Sequence, residues 1–406
     1  MKLKDIVTLK TKSIVPLQDE HYHLYSLPSF DKNQCREEIL GKDIQSNKYI
    51  VPDKCILFNK LNVRFKRVWR IDNKDNNKLC STEFLPLIID KTKLNYQYCY
   101  YLLISERITD YLCGQNTNTS GSHKRIDPLD FLNIDIQLPF IEEQTRIGSL
   151  LAYIDSKIAL NRAINHNLEA MAKQLYDYWF VQFDFPDENG RPYKSSGGEV
   201  VWNEKLKREI PEKWSDNTLE YFLNIKNGRD HKHLLCGSYP VYGSGGEMRR
   251  VCEWLYDGES VLMPRKGTLN NIMYVNEAFW TVDTMFYSVM KKEHRAKYIY
   301  YSIRDIDFTR WDAGTGVPSM TSSTLYSIPV IVPQENVLQA FDEKITPLFV
   351  AIKHNSKEIS ELTKQRDELL PLLMNGQVSV NYDLSHIRNR DRKHFYLALY
   401  LFYTFH

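Results

Sequence analysis

Residues 147–179 read IGSLLAYIDSKIALNRAINHNLEAMAKQLYDYW. Apolar side chains and two asparagines recur in this stretch at alternating gaps of four and three residues. The recurring positions are Ile147, Leu151, Ile154, Ile158, Asn161, Asn165, Leu168, Ala172, Leu175 and Trp179. Such spacing is typical of the seam of a coiled coil and predicts one long helix.

The same pattern returns about 194 residues later, in FDEKITPLFVAIKHNSKEISELTKQRDELLPLL at residues 341–373. A strand-like apolar run that ends in a proline precedes each helix, Ile134–Pro139 in the first copy and Ile328–Pro333 in the second. The repeat is far longer than a solenoid module, so the sequence indicates a duplicated domain with its own helix. An antiparallel pair of the two helices would bury both apolar seams.

The predicted fold class is α+β, with two mixed, strand-rich units joined by two long antiparallel coiled-coil helices in pseudo-two-fold symmetry. Asn161 and Asn355 are expected to meet near the middle of the pair, where a buried amide pair fixes the register. The residues expected to pair the helices are Ile154, Ile158, Asn161, Leu168, Leu175, Leu348, Ile352, Asn355, Leu362 and Leu369.

These patterns divide the chain into six segments. They are a first strand-rich unit at 1–138, a first helix at 139–180, a connector at 181–213, a second strand-rich unit at 214–332, a second helix at 333–380 and a tail at 381–406. In the first unit, Tyr49–Phe58 and Glu83–Ile89 read as strands and Tyr96–Ile108 as a helix. The connector is rich in Gly, Pro, Ser and charge, so it is not expected to belong to a core.

Composition and motifs argue against catalysis on this chain. It carries no GxxxxGK[ST] phosphate loop, no GxGxxG, no HExxH and no GxSxG element. No catalytic residue is therefore assigned, and no metal site, because no Cys or carboxylate is suitably spaced from the His pairs. The net charge is +2, the scattered cysteines are typical of reduced thiols in a cytoplasmic protein, and no run of about 18 apolar residues exists.

Two loops combine the residue types that bind DNA. Arg265–Asn271 follows a strand and offers a guanidinium for guanine, a lysine for phosphate and two amides for adenine. Asn59, Lys60, Asn62 and Arg64 occupy the matching place in the first unit. For the wider basic stretch Lys60–Lys78, a solvated strand and loop is the plainer alternative. The candidate DNA-binding residues are Lys60, Asn62, Arg64, Lys66, Arg67, Lys124, Arg125, Ser244, Arg249, Arg265, Lys266, Asn270 and Asn271.

Several motifs resemble the DNA specificity subunit of type I restriction-modification systems. They include Leu138–Gln144 (LPFIEEQ), Ile154–Ile158 (IDSKI) with Asn161, Ser195–Glu199 (SSGGE) and Tyr239–Gly246 (YPVYGSGG). The resemblance covers residues 20–380. In the second copy, residues 333–339 read PQENVLQ where the family has an aliphatic residue, two acids and glutamine. Pro347 and Arg366 also depart from an apolar seam, and a kink near the start of the second helix is one expectation.

The resemblance implies a non-catalytic reader of double-stranded DNA. Two target recognition domains would each bind half of a split, asymmetric sequence, and the two helices would act as a ruler between them. Two methyltransferase subunits and translocating restriction subunits would be the partners, and S-adenosylmethionine, ATP and Mg would belong to those partners. The alternative function, of a different class, is a coiled-coil scaffold whose end domains bind proteins. A salt-dependent affinity for duplex DNA would favour the DNA reader over this scaffold.

Overall fold

The structure is a computed structural model that describes residues 1–114, 125–311 and 318–380. The chain divides into two compact units. The first contains Met1–Asn161 and the segment that begins at Lys357, and the second is Arg162–Ser356. The candidate residue Lys124 and the tail at 381–406 lie outside the described residues.

The first unit is built on two β-sheets. Its strands are β1 (Val7–Leu9), β2 (Ser13–Ile14), β3 (His21–Tyr25), β4 (Glu37–Leu40), β5 (Lys48–Ile50), β6 (Cys55–Asn59), β7 (Val68–Ile71), β8 (Lys78–Ser81) and β9 (Phe84–Ile89). One sheet has the order β1-β9-β6-β7 and the other the order β2-β5-β8-β3-β4. All five residues of β6 are buried. Burial on both faces explains why its sequence is a continuous apolar run and not an alternating one.

The first unit also contains helices, and some of them begin after a residue whose side chain caps them. The helices are α1 (Leu27–Asn33), α2 (Tyr96–Ile104), α3 (Glu106–Gly114), α4 (Pro128–Leu132) and α5 (Ile141–Tyr176). The Asn95 side chain accepts a hydrogen bond from the Tyr98 amide at 3.0 Å and so starts α2. Ser105 has an extended backbone and ends α2. The single helix predicted over Tyr96–Ile108 is therefore two helices, α2 and the start of α3.

Residues 162–311 and 318–356 of the second unit contain ten strands and two short helices. The strands are β10 (Val200–Asn203), β11 (Arg208–Pro211), β12 (Ser215–Thr218), β13 (Leu223–Asn227), β14 (Cys236–Gly243), β15 (Gly246–Val251), β16 (Tyr256–Pro264), β17 (Met273–Thr281), β18 (Met285–Met290) and β19 (Pro329–Val332). The helices are α6 (Ala296–Ile303) and α7 (Ser322–Tyr326), and the long helix α8 (Glu335–Met374) follows. α8 continues through Pro347 without interruption.

The main sheets of the two units share one strand plan. The second unit has a six-stranded sheet in the order β13-β18-β16-β17-β14-β15. Its first four strands repeat the order β1-β9-β6-β7, with the same antiparallel pairings. The β14–β15 hairpin is added in the second unit, and the five-stranded sheet is added in the first. The prediction of an α+β fold with two strand-rich units and two long helices is confirmed.

Each unit buries part of the predicted helix seam. In the first unit the core includes Ile154, Ile158, Leu362 and Leu369, and Asn161 is buried beside them. In the second unit five of the residues expected to pair the helices are half-buried: Leu168, Leu175, Leu348, Ile352 and Asn355. Full burial of a leucine side chain is worth about 1.5–3 kcal/mol, so the seam is a main source of stability for the helix pair.

In the first unit, polar contacts between α5 and α8 set an antiparallel register. Asn161 Nδ2 donates to Glu358 Oε2 at 2.8 Å, and Lys157 Nζ lies 3.5 Å from Glu358 Oε1. Nearer the N-terminus of α5, Asp155 Oδ1 accepts a hydrogen bond from Arg366 Nη1 at 2.9 Å. Residue numbers on α8 therefore fall as those on α5 rise.

The second unit contains the amide pair of the seam. Asn355 Nδ2 donates to Asn165 Oδ1 at 2.9 Å, and Asn165 Nδ2 donates to Ser356 Oγ at 3.1 Å and the Ile352 carbonyl at 3.3 Å. The observed partner of Asn355 is thus Asn165, which lies one helical turn along α5 from the predicted partner Asn161. The offset of about 194 residues shows which positions of the two copies correspond. It does not show which residue of α5 lies opposite a given residue of α8.

The two long helices begin differently. In the first unit, buried Gln144 donates to the carbonyls of Pro139 at 2.9 Å and Lys93 at 3.1 Å, and its Oε1 accepts from the Asn95 amide at 2.9 Å. In the second copy the matching residue is Leu338, which is buried in the apolar core. The departure of the second motif from the family pattern therefore replaces a polar anchor with an apolar one.

Buried charges surround the start of α8. Arg295 is buried and forms an ion pair with Glu335, the first residue of α8. Lys297, also buried, forms ion pairs with Glu259 and with Asp342, the latter at 2.8 Å. Nδ1 of His294 lies 2.9 Å from Asp342 Oδ2, and this hydrogen bond raises the pKa of His294 above its usual 6.5. Ion pairs thus attach α6 and the segment before it to α8.

The connector at 181–213 is more ordered than the sequence predicted. Phe183, Phe185 and Ile210 are buried in the core of the second unit, together with Trp214. The Phe185 and Trp214 rings stack with centroids 4.7 Å apart. The expectation that this segment stays out of a core was wrong, because its Gly, Pro and Ser residues form turns between aromatic residues that pack.

Candidate nucleic-acid interface

In the first unit, the loop between β6 and β7 projects a rigid tip. The side chain of buried Asn59 makes two hydrogen bonds to the backbone of Leu61, one of them from the Leu61 amide at 2.9 Å. A short 3-10 helix spans Val63–Phe65, and buried Val63 anchors it to the core. The tip therefore has a fixed conformation and exposes the side chains of Arg64, Phe65 and Lys66.

Two predicted DNA-binding arginines of this unit are held by carboxylates. Arg67 Nε and Nη2 donate to the two oxygens of Asp31 at 2.6 and 2.7 Å. Arg125 donates to Glu83 at 2.8–3.0 Å, and hydrogen bonding to that carboxylate raises the pKa of Arg125. These bidentate pairs orient both guanidinium groups, and DNA contact by Arg67 and Arg125 stays a prediction.

The other candidates of the first unit lie close together on the same loop. Lys60 is half-buried, and its carbonyl accepts from the Ile126 amide at 3.0 Å, which joins the loop to the segment after 124. Asn62 is half-buried at the start of the 3-10 helix. Within the part of the chain that the structure describes, Arg64 and Lys66 form no ion pair with a carboxylate. They are the cations best placed to meet phosphate or base edges.

In the second unit, the loop Arg265–Asn271 lies at the same strand end, between β16 and β17. The Met320 amide donates to the Arg265 carbonyl at 2.8 Å, and the Gly267 amide donates to the Pro318 carbonyl at 3.0 Å. Gly267 has a φ of +92°, and a Cβ there would lie 2.7 Å from Ser244 Oγ. Glycine thus permits the loop to pack against the turn that contains Ser244.

The two amides predicted to read adenine make hydrogen bonds within the chain. Asn270 Oδ1 accepts from the Phe308 amide at 2.8 Å, and its Nδ2 donates to Asp307 Oδ1 at 3.2 Å. Hydrogen bonds from Thr309 and Asn270 lower the pKa of Asp307 to about 2. Asn271 Nδ2 donates to the Ser244 carbonyl at 2.8 Å. In the structure both residues hold the loop in place, and a role in base recognition stays a prediction.

Of the remaining candidates, Arg265 and Lys266 are exposed and adjacent to Ser244 through Gly267. The Arg265 guanidinium lies 5.9 Å from the centroid of the Phe286 ring. Arg249, on β15, points elsewhere: its Nη2 donates to the Leu234 carbonyl at 2.5 Å. The structure therefore brings Ser244 together with residues 265–271 and directs Arg249 toward another loop.

Sequence reasoning missed an exposed apolar face on α5. Leu160 in the first unit is 51% exposed, and Ile164 and Met171 in the second unit are also exposed. Their spacing of four and seven residues places them on one side of the helix, away from the seam. The same heptad count that revealed the seam could have revealed this second apolar row.

Within residues 1–114, 125–311 and 318–380, no three His, Cys, Asp or Glu side chains cluster in a way that could hold a metal ion. Among the helices of these same ranges, none has the length and apolar character that crossing a membrane requires.

The loops, the shared strand plan and the paired helices can be compared with known proteins. Residues 1–170 match the family model described as the type I restriction modification DNA specificity domain. The chain is similar to this specificity domain over its first 170 residues. Its predicted resemblance to specificity subunits is thereby confirmed.

Curated relatives of the specificity family match most of the chain. The type I restriction enzyme MjaIX specificity subunit of Methanocaldococcus jannaschii is 25% identical over 332 residues, which cover 75% of this chain and 74% of that protein. The HindI specificity subunit of Haemophilus influenzae is 22% identical over 396 residues, covering 80% of this chain and 86% of that protein.

A solved structure shares the fold. The crystal structure of the type I restriction-modification S subunit from M. genitalium has a TM-score of 0.62 and 17% identity, and the match covers 92% of this chain and 95% of that one.

Proposed function

We propose that this protein is the DNA sequence-specificity subunit of a type I restriction-modification complex. Its two units bind the two halves of a split, asymmetric DNA target. It reads sequence without catalysing a reaction, and partner subunits carry out adenine methylation or DNA cleavage at the site it selects. The cytoplasm, where the DNA lies, is its place of action.

The observation that carries this proposal is the repeated recognition loop. In both units the loop follows a central strand whose last five residues are buried, β6 or β16, and carries exposed cations at its tip: Arg64 and Lys66 in one, Arg265 and Lys266 in the other. An arginine can bind guanine through two hydrogen bonds, and a lysine can bind phosphate as a point charge. Two domains that share a strand scaffold but differ in their loops are expected to recognise different DNA sequences.

The long helices provide the spacing in this proposal. α5 has 36 residues and α8 has 40, so at about 1.5 Å per residue they are about 54 and 60 Å long. Antiparallel contacts occur between the helices within each unit. A spacer of fixed length imposes a fixed number of base pairs between the half-sites.

Partner subunits supply the chemistry. We infer that two methyltransferase subunits dock on the helices, where Leu160 in one unit and Ile164 and Met171 in the other leave apolar surface exposed. Translocating restriction subunits join that complex. S-adenosylmethionine, ATP and Mg²⁺ bind to these partners, and this chain carries no cofactor.

Selection from a random duplex library tests the proposal. The protein is purified with its methyltransferase subunit and incubated with the library at several salt concentrations. A specificity subunit enriches one split motif, and its affinity falls steeply as salt rises. The Arg64→Ala/Lys66→Ala variant should lose affinity, whereas Lys207→Ala, at a connector lysine paired with Glu204, should not.

A scaffold that binds proteins would give the opposite result. It would enrich no motif, and its weak binding to duplexes would be the same for all sequences. Equal behaviour of the Arg64→Ala/Lys66→Ala and Lys207→Ala variants would likewise count against a DNA-reading loop.

A further inference from the structure

We propose that Phe65 is an apolar base-contacting residue of the first unit, and that it recognises the 5-methyl group of a thymine in the major groove. This inference rests on the proposed function, because it needs the loop between β6 and β7 to meet DNA. It goes beyond that function by assigning one side chain to one chemical group of a base.

Phe65 is exposed on a loop whose conformation is fixed. Its side chain is 52% exposed, while its neighbour Val63 in the same 3-10 turn is buried. Asn62 and Lys66 flank the turn with left-handed φ angles of 52° and 47°. Asparagine tolerates that conformation, but for a lysine it is uncommon and unfavourable. Backbone strain of this kind concentrates at binding sites. Here the strained turn keeps the Phe65 side chain exposed to solvent.

Two arginines fix the ring and restrict how it can contact a base. The guanidinium carbons of Arg64 and Arg67 lie over the ring, 4.8 and 4.7 Å from its centroid. Asp31 holds Arg67 through two hydrogen bonds, so this contact is preorganised. A base that stacked on a ring face covered by a guanidinium group would have to displace that group. The edge of the ring is not covered by either guanidinium and can contact DNA without displacing it.

The chemistry of the major groove then selects the partner. Thymine is the base that presents a methyl group there, and apolar side chains recognise it by direct contact. Cations on both sides of Phe65, at Arg64 and Lys66, would bring the ring to the groove by binding adjacent phosphates or bases. An apolar edge between cations therefore fits a thymine methyl group better than any polar base edge.

The second unit lacks this feature and serves as an internal comparison. Its loop at the same strand end has one large apolar residue, Leu269, which is buried in the core. The exposed side chains there include Arg265, Lys266 and Asn270, all polar. The thymine contact is thus expected in only one of the two half-sites.

A double-mutant cycle between protein and DNA tests the inference. Once the target is known, each thymine of both half-sites is replaced in turn by deoxyuridine, which lacks the 5-methyl group but pairs identically. Binding is measured with the full complex. At one thymine, removal of the methyl group should weaken binding of the wild-type protein about fourfold. The Phe65→Ala variant should show no loss at that position.

Two further variants make the test selective. Phe65→Leu keeps an apolar side chain and should retain part of the sensitivity to deoxyuridine. Leu129→Ala, at another exposed apolar residue of the first unit, should leave the sensitivity unchanged. Thermal melting of each variant shows whether it is folded.

The outcomes separate this inference from the proposed function. If the complex binds a split motif but deoxyuridine affects wild type and Phe65→Ala equally at every thymine, the assignment of Phe65 is overturned and the function stands. A target without thymine in either half-site also overturns it. If no motif is bound, the proposed function fails and this inference fails with it.

Discussion

Arg366 on α8 donates a hydrogen bond to Asp155 on α5, with Nη1 2.9 Å from Oδ1. The other oxygen of Asp155 accepts a hydrogen bond from the Tyr101 hydroxyl at 2.6 Å. Burial and the neighbouring Asp155 carboxylate both raise the pKa of Tyr101, so its hydroxyl stays protonated and donates. The one basic residue of the predicted seam therefore joins α8 to α5, and Asp155 joins both to α2.

Breaking this contact should destabilise the first unit. The Arg366 and Asp155 side chains are only 27% and 26% exposed. Arg366→Ala removes a charged partner from a half-buried carboxylate and is expected to lower the free energy of unfolding by about 1–3 kcal/mol. Denaturant unfolding of Arg366→Ala, Asp155→Asn and the double variant measures the loss and the coupling between the two residues.

Lys364→Ala is the matched control on the same helix. Lys364 pairs with Glu368 in an exposed contact of 3.9 Å, so its removal should change stability by less than about 0.5 kcal/mol. Losses of equal size from Arg366→Ala and Lys364→Ala would show that the ion pair adds nothing to the helix pairing.

His294 should make the stability of the second unit depend on pH. Its hydrogen bond to Asp342 raises its pKa in the folded state, whereas the unfolded value is about 6.5. The stabilisation is therefore complete below pH 6.5 and is lost as the pH rises through the higher folded value. Between pH 6 and 9, the melting temperature of wild type should fall more than that of His294→Asn.

Asparagine is the appropriate replacement because His294 has a left-handed φ of 61°, which asparagine tolerates. The expected difference between the two proteins is greatest at pH 6. Parallel melting curves for wild type and His294→Asn over the whole pH range would refute the role of this histidine.

The apolar face of α5 should be needed for assembly. Leu160→Asp places a charge on the exposed apolar row and should weaken association with the methyltransferase subunit at least tenfold, since interface centres tolerate unpaired charges poorly. Ala159→Asp, at the adjacent exposed position outside that row, is the control. Co-purification and calorimetric titration measure the effect, and equal affinities for the two variants would place the partner elsewhere.

Arg265 and Lys266 should contribute to DNA binding in different ways. Arg265→Ala is expected to relax the sequence preference at one position, with a loss of about 1–3 kcal/mol for the preferred base. Lys266→Ala should weaken binding to all sequences. It should also reduce the slope of log affinity against log salt concentration by about one. Affinities for the target and for single-base variants distinguish the two, and an equal loss of specificity would contradict the assignment.

The repeated seam was enough to predict the helices and the two strand-rich units, because apolar periodicity is a local property of the sequence. The partner of Arg366 was not predictable because Asp155 is distant in sequence. The register of α8 against α5, which brings the two residues together, depends on tertiary packing. For the same reason Asn355 pairs with Asn165 and not with Asn161.

The positions of the two loops after β6 and β16 could be predicted, but the roles of their side chains could not be assigned from residue type alone. An amide that reads adenine and an amide that ties down a loop look the same in sequence. Asn270 and Asn271 have partners in Asp307 and Ser244, which only the folded chain brings near. Phe65 was likewise visible as an aromatic residue, but its exposure was not.

Genome-wide mapping of methylated adenines tests the central claim most directly. Cells that express this chain with its methyltransferase subunit are compared with cells that lack this chain. The account predicts one split motif with a fixed gap, methylated in the first cells and unmethylated in the second. Methylation that is identical in both, although the two proteins co-purify, would contradict the proposal that this chain selects the DNA sequence.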